Sequence, residues 1–485
     1  MSMRTPATFI HSYFHGFAWH QASEFAILIF ITLAIPIHWR LGIYGLMLLC
    51  VNTIIRIIAT HKIGNPALHR PQYICLGLMI LLFLVFAVSA TYSNQPSLAA
   101  STLVTMLTIL VPPLLFLIVD TRYLQRRHFN LLTYLLATVL TLRFLAMLIR
   151  SAFHSIDSSI YTSLTTIFPT LLTQLCSWLT DGVPFEPLRN ALATIPIRAT
   201  AHLFNNTPFE YLEEYHFATL HHNYLSLYTL TAIALIYIQL VRHWKSPRWH
   251  TARWLVLGDI GLLSTYVLLS ASRSGMVIMV LLYSVCLAHL AIKRKQWHIA
   301  GLTLLSLVVV IAVSYWAFPE KYERLTYTAE RMLEGEEGDI RQTMWQSALD
   351  AAKQRPLFGY GCDGYWDELI KQYQLNKCFD ASANQYSTHN QYLETLLATG
   401  MAGLAVLLAM ILVPAILAFN KSTRNLPLLL FTLVYASSFC FEATLERQMG
   451  LLFIGFWYCI LILYPTIIKH HTDTELVPKP HTSIL

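Results

Sequence analysis

The sequence predicts an all-α integral membrane protein of about twelve transmembrane helices with two long outer connections, the second containing helices. Three observations carry that expectation. Of 485 residues, 55% are hydrophobic and 12% charged, with a mean hydropathy of +0.51. A soluble domain carries roughly a quarter charged residues, so lipid must be the main solvent here. Apolar runs long enough, or nearly so, to cross a hydrocarbon core of about 30 Å recur along the chain. The basic residues of the short connections then alternate from side to side.

The runs lie near residues 24–37, 41–58, 73–90, 102–119, 131–149 and 219–241, followed by 254–270, 275–292, 299–318, 389–419, 427–440 and 450–467. The short connections holding Lys62/Arg70, Arg122/Arg126/Arg127, Arg242/Lys245/Arg248/Arg253, Lys293/Arg294/Lys295 and Lys421/Arg424 share one face, whereas the opposite short loops hold Arg40, Arg273 and Arg447. Lys and Arg accumulate on the cytoplasmic side, which puts both termini inside and the connections 150–218 and 319–388 outside. The net charge of +7 reflects this loop bias rather than nucleic-acid binding. The whole chain, 1–485, reads as a single polytopic membrane domain.

No cleavable leader pattern opens the chain, so the first span is expected to serve for insertion. The cytoplasmic loops leave no room for a nucleotide-using domain, and no Gly-Lys-Ser/Thr phosphate loop is present. Energy must then come from the substrate or a gradient. Cys50, Cys75, Cys286, Cys440 and Cys459 fall in apolar spans, where cysteine packs as a small hydrophobe, and Cys176 has no obvious partner. Cys362 and Cys378 fall in the second outer connection. An oxidising compartment permits a disulfide between them, closing a loop of roughly 15 residues, but spacing alone leaves the pairing open.

The first outer connection has an apolar front half from Ile160 to Leu179, expected along the membrane face, before Pro184, Pro187, Pro196 and Pro208 impose turns. Asn205-Asn206-Thr207 matches a glycosylation sequon by chance and receives no role. In the second connection, Asp339 can cap a helix with Gln342 three residues on; Trp345, Leu349 and Ala352 recur at helical spacing, and Pro356 ends it. Arg341 belongs to its first turn. The glycines of Gly359-Tyr360-Gly361 suit a turn or a close backbone approach. Glu334-Gly335-Glu336-Glu337 reads as a solvated loop, and the tail 470–485, with Pro478 and Pro480, as disordered.

Chemistry is expected at Ser387-Thr388-His389-Asn390-Gln391-Tyr392-Leu393-Glu394, a polar, titratable cluster at the head of a long apolar helix. Thr388 and Gln391 read as a capping box, which places His389 in the first helical turn, where the macrodipole favours a neutral imidazole able to accept a proton. Two further basic groups converge on the same side. Arg273 stands in Ala271-Ser272-Arg273-Ser274-Gly275, a guanidinium beside the hydroxyls of Ser272 and Ser274 and a helix N-terminus, a combination suited to phosphate. Taken singly, Arg273 could be a snorkelling interfacial residue, Arg341 an exposed helix residue and His389 a structural interface residue. Their convergence favours a site.

His221-His222-Asn223-Tyr224 opens the sixth span on that side, and His222 could line the same pocket or serve the interface structurally. A zinc triad of His221, His222 and His389 is disfavoured because the adjacent pair lacks ligand spacing. No metal or cofactor is expected. Among Glu213, Glu214, Asp363, Asp367 and Glu394, no spacing singles out a glycosidase-like pair, and Glu394 reads as complementing its helix N-terminus.

Arg273 in Ser-Arg-Ser-Gly, Arg341 followed by Trp345, Gly359-Tyr360-Gly361, and Ser387–Leu393 followed by Gly400 and Gly403 together resemble the superfamily of O-antigen ligases and Wzy-type polymerases. The topological resemblance covers nearly the whole chain, and the motifs cover 272–403. What the resemblance implies is an inverting, metal-independent glycosyltransferase of lipopolysaccharide biosynthesis, multi-pass in the bacterial inner membrane with its active site facing the periplasm. Its donor would be an undecaprenyl-diphosphate-linked glycan and its acceptor a lipid A–core sugar hydroxyl. Following the family, His389 would be the base and Arg273 and Arg341 would hold the diphosphate, with Ser272, Ser274, His222, Asn390 and Tyr392 as candidate supports. A ligase is favoured. An O-antigen or exopolysaccharide polymerase is the alternative, with a branch acting on protein hydroxyls beside it. Twelve spans also suit a secondary transporter or lipid flippase, but no internal repeat is evident, and the ionisable residues within spans are chiefly Arg143 and Asp259. A structural subunit would leave the basic cluster unexplained.

Overall fold

A computed structural model describes residues 13–155, 221–312, 340–419 and 425–465, apart from scattered positions in the first two stretches. Most of connection 150–218, most of the expected ninth span 299–318, the segment 319–339 with its acidic run and Asp339, Cys176, the sequon and the tail 470–485 lie outside the described residues.

The described elements are helices throughout. The first five are α1 (Trp19–Ile37), α2 (Trp39–Thr60), α3 (Arg70–Ala90), α4 (Pro96–Ile118) and α5 (Arg126–Ser155). Then come α6 (His222–His243), α7 (His250–Leu269) and α8 (Arg273–Ala288), before α9 (Ile340–Gln354), α10 (Trp366–Leu375) and α11 (Phe379–Ala383) in the second connection. The chain closes with α12 (Gln391–Phe419), α13 (Leu426–Ser438) and α14 (Gln448–Ile462). Among the described residues nine helices, α1–α8 and α12, are long and apolar enough to cross a membrane, with α13 and α14 as shorter apolar helices. These eleven match eleven of the twelve expected runs, and the twelfth is 299–318.

The core forms around α6, whose apolar window is wholly buried and which packs against α5, α7, α8 and α13. Exposed Leu, Ile and Val on α2, α3 and α8 give those helices an apolar outer surface suited to lipid. The two ionisable residues that the sequence set within spans serve packing. Arg143 of α5 is 1% exposed and donates from Nη1 to the Pro36 carbonyl at 2.8 Å and the Ile37 carbonyl at 3.1 Å, satisfying the end of α1. Asp259 of α7 accepts from the Thr141 hydroxyl of α5.

One expected span is interrupted. α12 reads in the sequence as a continuous helix, yet Gly400 lies at φ 66°, ψ −163°, outside helical geometry. Breaking a helix orphans backbone groups, which lipid cannot satisfy. The segment after Pro356 satisfies them: Tyr360 N–H donates to the Leu397 carbonyl at 2.8 Å and Gly361 N–H to the Ala398 carbonyl at 2.9 Å, while Met401 N–H donates to the Pro356 carbonyl at 2.8 Å. The approach is so close that a Cβ on Gly359 would lie 2.4 Å from the Leu397 carbonyl oxygen. Gly359-Tyr360-Gly361 is therefore a backbone splice, which pins the second connection to α12.

The candidate disulfide is not formed. Cys362 and Cys378 are both free and buried, and the Cys362 thiol is directed to the Asp363 carboxylate at 3.4 Å. Cys378 follows α10, where its N–H donates back to the Tyr373 carbonyl at 2.7 Å.

Candidate active site

The helix beginning differs from the expected capping box. α12 starts at Gln391, and the residue capping it is Asn390, whose Oδ1 accepts from Tyr392 N–H at 3.0 Å and Leu393 N–H at 3.2 Å. Thr388 is drawn elsewhere, its N–H and hydroxyl both donating to Glu394 Oε1, at 2.6 and 2.9 Å. Gln391 does not reach back to the cap; its side chain accepts from Leu445 N–H at 2.6 Å. His389 thus stands before the helix, at φ 48° in the left-handed region, a conformation costing about 1–3 kcal/mol that surrounding contacts must impose. Ahead of the helix, His389 is outside the first turn on which the macrodipole acts.

A carboxylate that sequence spacing did not single out faces the ring. Glu442, in the connection between α13 and α14, places Oε1 3.7 Å from His389 Nδ1, with side-chain exposures of 14% and 36% respectively. That separation is too long for a formed hydrogen bond, and Nδ1 has no other partner, so the pair is poised to tighten. Burial opposes ionisation of Glu442, but the adjacent His389 imidazole, the Asn223 amide and nearby His221 outweigh it and hold the carboxyl below its usual range.

The same carboxylate joins the serine-arginine-serine motif to the histidine. Asn223 Nδ2 donates to Glu442 Oε2 at 2.6 Å, and Asn223 Oδ1 accepts from the Ser272 and Ser274 hydroxyls, each at 3.0 Å. Ser272 also caps α8, accepting from Gly275 N–H at 3.0 Å, which fixes the helix start from which the exposed Arg273 side chain emerges. Arg341 sits in the first turn of α9, one turn before Trp345, whose indole N–H donates to the Thr388 carbonyl at 2.9 Å. Hydrogen bonds thus tie α9 to the turn carrying His389, and α8 through Asn223 to Glu442, whose carboxylate approaches the histidine ring at 3.7 Å.

The remaining candidates divide. His222 stacks on His221 with ring centroids 4.0 Å apart, and burial, reinforced by His389 and Arg447 against an opposing Glu442, lowers the His221 pKa. Asn390 is the cap already described, and its Nδ2 donates to the Cys440 carbonyl at 3.4 Å. Tyr392 donates its hydroxyl to the Ala436 carbonyl of α13 at 2.8 Å. Sequence reasoning missed Glu442 and Asn223 as site residues. The signal was available only in part, as a polar Asn223 heading an otherwise apolar span. Among the described residues no group of three His, Cys, Asp or Glu side chains is arranged to hold a metal.

Comparison with known proteins bears on this end of the molecule. Residues 260–408, running from α7 into α12 and including Arg273, Arg341 and His389, match the family model described as O-antigen ligase (Wzy_C). The chain is 29% identical over 167 residues to the exopolysaccharide production protein ExoQ of Rhizobium meliloti, covering 33% of this chain and 37% of that protein. It is 39% identical over 87 residues to an uncharacterised protein of Haemophilus influenzae, covering 18% of this chain and 22% of that one. The chain thus spans well under half the length of these curated relatives. Within this helical membrane architecture, residues 260–408 are therefore what is similar to the O-antigen ligase (Wzy_C) family.

Proposed function

We propose that the protein is a glycosyltransferase that moves a glycan from undecaprenyl diphosphate to a sugar hydroxyl of lipid A–core, an O-antigen ligase of the bacterial inner membrane working on its periplasmic side. The observation that carries this reading is the polar chain Ser272/Ser274–Asn223–Glu442–His389, which links an anion-binding motif to a titratable base at one end of the bundle.

In this reading Glu442 orients the imidazole through Nδ1, leaving Nε2 to take the acceptor hydroxyl's proton. The hydroxyl oxygen bonds to the anomeric carbon as the bond from that carbon to the diphosphate oxygen breaks, with inversion. Arg273 and Arg341 hold the diphosphate and stabilise its growing charge. A positioned base contributes about 10²–10⁴-fold, so alignment and diphosphate stabilisation must supply much of the remainder.

The relation to an exopolysaccharide production protein favours a second reading, in which the acceptor is another lipid-linked repeat unit and the protein is a polymerase. The leaving group and base are the same. Transport is less well supported, because Arg143 and Asp259 are engaged in helix packing. Reconstitution in liposomes with lipid-linked O-antigen and rough lipopolysaccharide decides: ligated lipopolysaccharide supports the ligase, extension of the donor alone supports the polymerase, and no transfer to either acceptor rejects both.

A further inference from the structure

A second acidic cluster lies behind His389, and the reaction just described does not use it. Glu394, 2% exposed on the first turn of α12, has as its close neighbour the carboxyl of Glu446, which arrives from the connection between α13 and α14. Tyr365, 2% exposed at the head of α10, donates its hydroxyl to Glu446 Oε1 at 3.1 Å. Thr388 supplies its N–H and hydroxyl to Glu394 Oε1, at 2.6 and 2.9 Å. The donors are then spent, and Glu394 Oε2 is buried without a partner.

An ionised carboxylate only accepts hydrogen bonds, so two of them side by side repel and leave that oxygen orphaned. One proton on Glu446, donated to Glu394, supplies the missing partner and removes the repulsion.

We propose that Glu394 and Glu446 share a single proton, and that this acid pair, clasped by Tyr365, is a positioning device holding the Thr388–His389 turn in its left-handed form. The device deepens the transferase reading and rests on it only for its effect on turnover. Its logic is mechanical. Glu394 grips Thr388 directly, Glu446 belongs to the same short connection as Glu442, and the shared proton locks the two sides together. The histidine backbone and the carboxylate facing its ring are thereby set by one joint.

The surroundings are consistent with a retained proton. Burial and the adjacent Glu394 push the Glu446 carboxyl well above its usual range. Asp363 acts in the same direction, and Arg447 opposes it. The other titratable groups facing the pair are Tyr224 of α6 and, from the second connection, Tyr365 and Tyr373, whose hydroxyls burial and the neighbouring Glu394 push above the usual tyrosine range, so that they are neutral near pH 7.

The test combines infrared spectroscopy, hydrogen exchange and turnover on the full chain in nanodiscs. At pH 7 the wild type should show a protonated-carboxyl stretch that is missing from both E394Q and E446Q, since each variant leaves one carboxylate accepting from an amide. Amide exchange across 386–392 should stay near the wild-type rate in E394Q and E446Q and rise about tenfold in E394A, where the grip on Thr388 is gone. The alkaline limb of the turnover profile should move up by at least about one pH unit in E446Q, whose amide cannot ionise, with neutral-pH turnover within about threefold. A protonated-carboxyl band identical in the wild type and both glutamine variants overturns the shared proton, and unchanged exchange in E394A overturns the positioning role. The spectra and exchange need no substrate, so if the wild type transfers no glycan the functional reading fails while the acid pair is still decided.

Discussion

The indole N–H of Trp345 donates to the backbone carbonyl of Thr388 at 2.9 Å, joining the helix that presents Arg341 to the turn that presents His389. Arg341, one helical turn away and proposed to hold the diphosphate, is thus referenced to His389, the proposed base, through a single hydrogen bond. W345F keeps the ring's bulk and removes the donor. One such bond contributes about 1 kcal/mol, so turnover should fall about fivefold while the melting temperature shifts by only a few degrees, measured in parallel on the same preparation.

His389 and Glu442 should differ in the size of their effects. H389A removes the proposed proton acceptor, and transfer should drop by about 10²–10⁴-fold with donor binding retained. E442Q leaves the base but weakens the charge that orients it, for a loss of about tenfold. Equal losses in the two variants would place Glu442 in the reaction itself rather than behind the ring.

Arginine at positions 273 and 341 should matter for its fork as well as its charge. R273K and R341K keep the charge but give up the guanidinium fork that the proposed diphosphate contact would use. Hydrogen bonds to charged groups are worth about 1.5–3 kcal/mol, which predicts a fall in kcat/KM for the lipid-linked donor of about 10–100-fold, and more for alanine. Steady-state kinetics at varied donor concentration checks this.

The depressed pKa of Glu442 carries a sign for stability. Because the folded value lies below the unfolded one, near 4.3, the ionised carboxylate stabilises the fold above that pH, and the contribution is lost as pH falls through the folded value. Thermal melting between neutral pH and about pH 3 should therefore show a steeper acid-side loss in the wild type than in E442Q.

Gly400 should tolerate no side chain. Its φ is positive, and a Cβ would meet the Leu357 carbonyl carbon and oxygen at 2.3 Å, backbone atoms that cannot rotate aside. G400A is expected to destabilise by more than the ~1–3 kcal/mol of backbone strain alone, read as a lowered melting temperature and reduced yield in the membrane.

Hydropathy placed eleven spans that are now described, because a run of Leu, Ile and Val long enough to cross lipid has few alternatives. Ser272 as neighbour to a helix start and the close approach at Gly359-Tyr360-Gly361 were equally readable, since both are local. The beginning of α12 was not. Thr388 and Asn390 are both good caps, and the choice was made by Glu394, whose carboxylate captures the threonine and leaves the helix to the asparagine. The partnership of Asn223 with Glu442 crosses 219 positions, and no periodicity within either segment records it. The break in α12 was hidden for a related reason: a glycine in an apolar run gives no sign that its neighbours find backbone partners some forty residues upstream.

That break has a consequence for how the chain is made. Synthesis proceeds from the N-terminus, so the Pro356–Gly361 strip is complete before the Leu397–Ala402 groups that depend on it exist. A helix with an unsatisfied gap would be a poor candidate for transfer into lipid, whereas one whose template is already waiting can close the gap as it docks. The second connection is then more than a loop carrying Arg341: it acts as an internal scaffold for the span that follows it, and truncations or insertions within 356–361 should show their damage in membrane integration of the downstream helix.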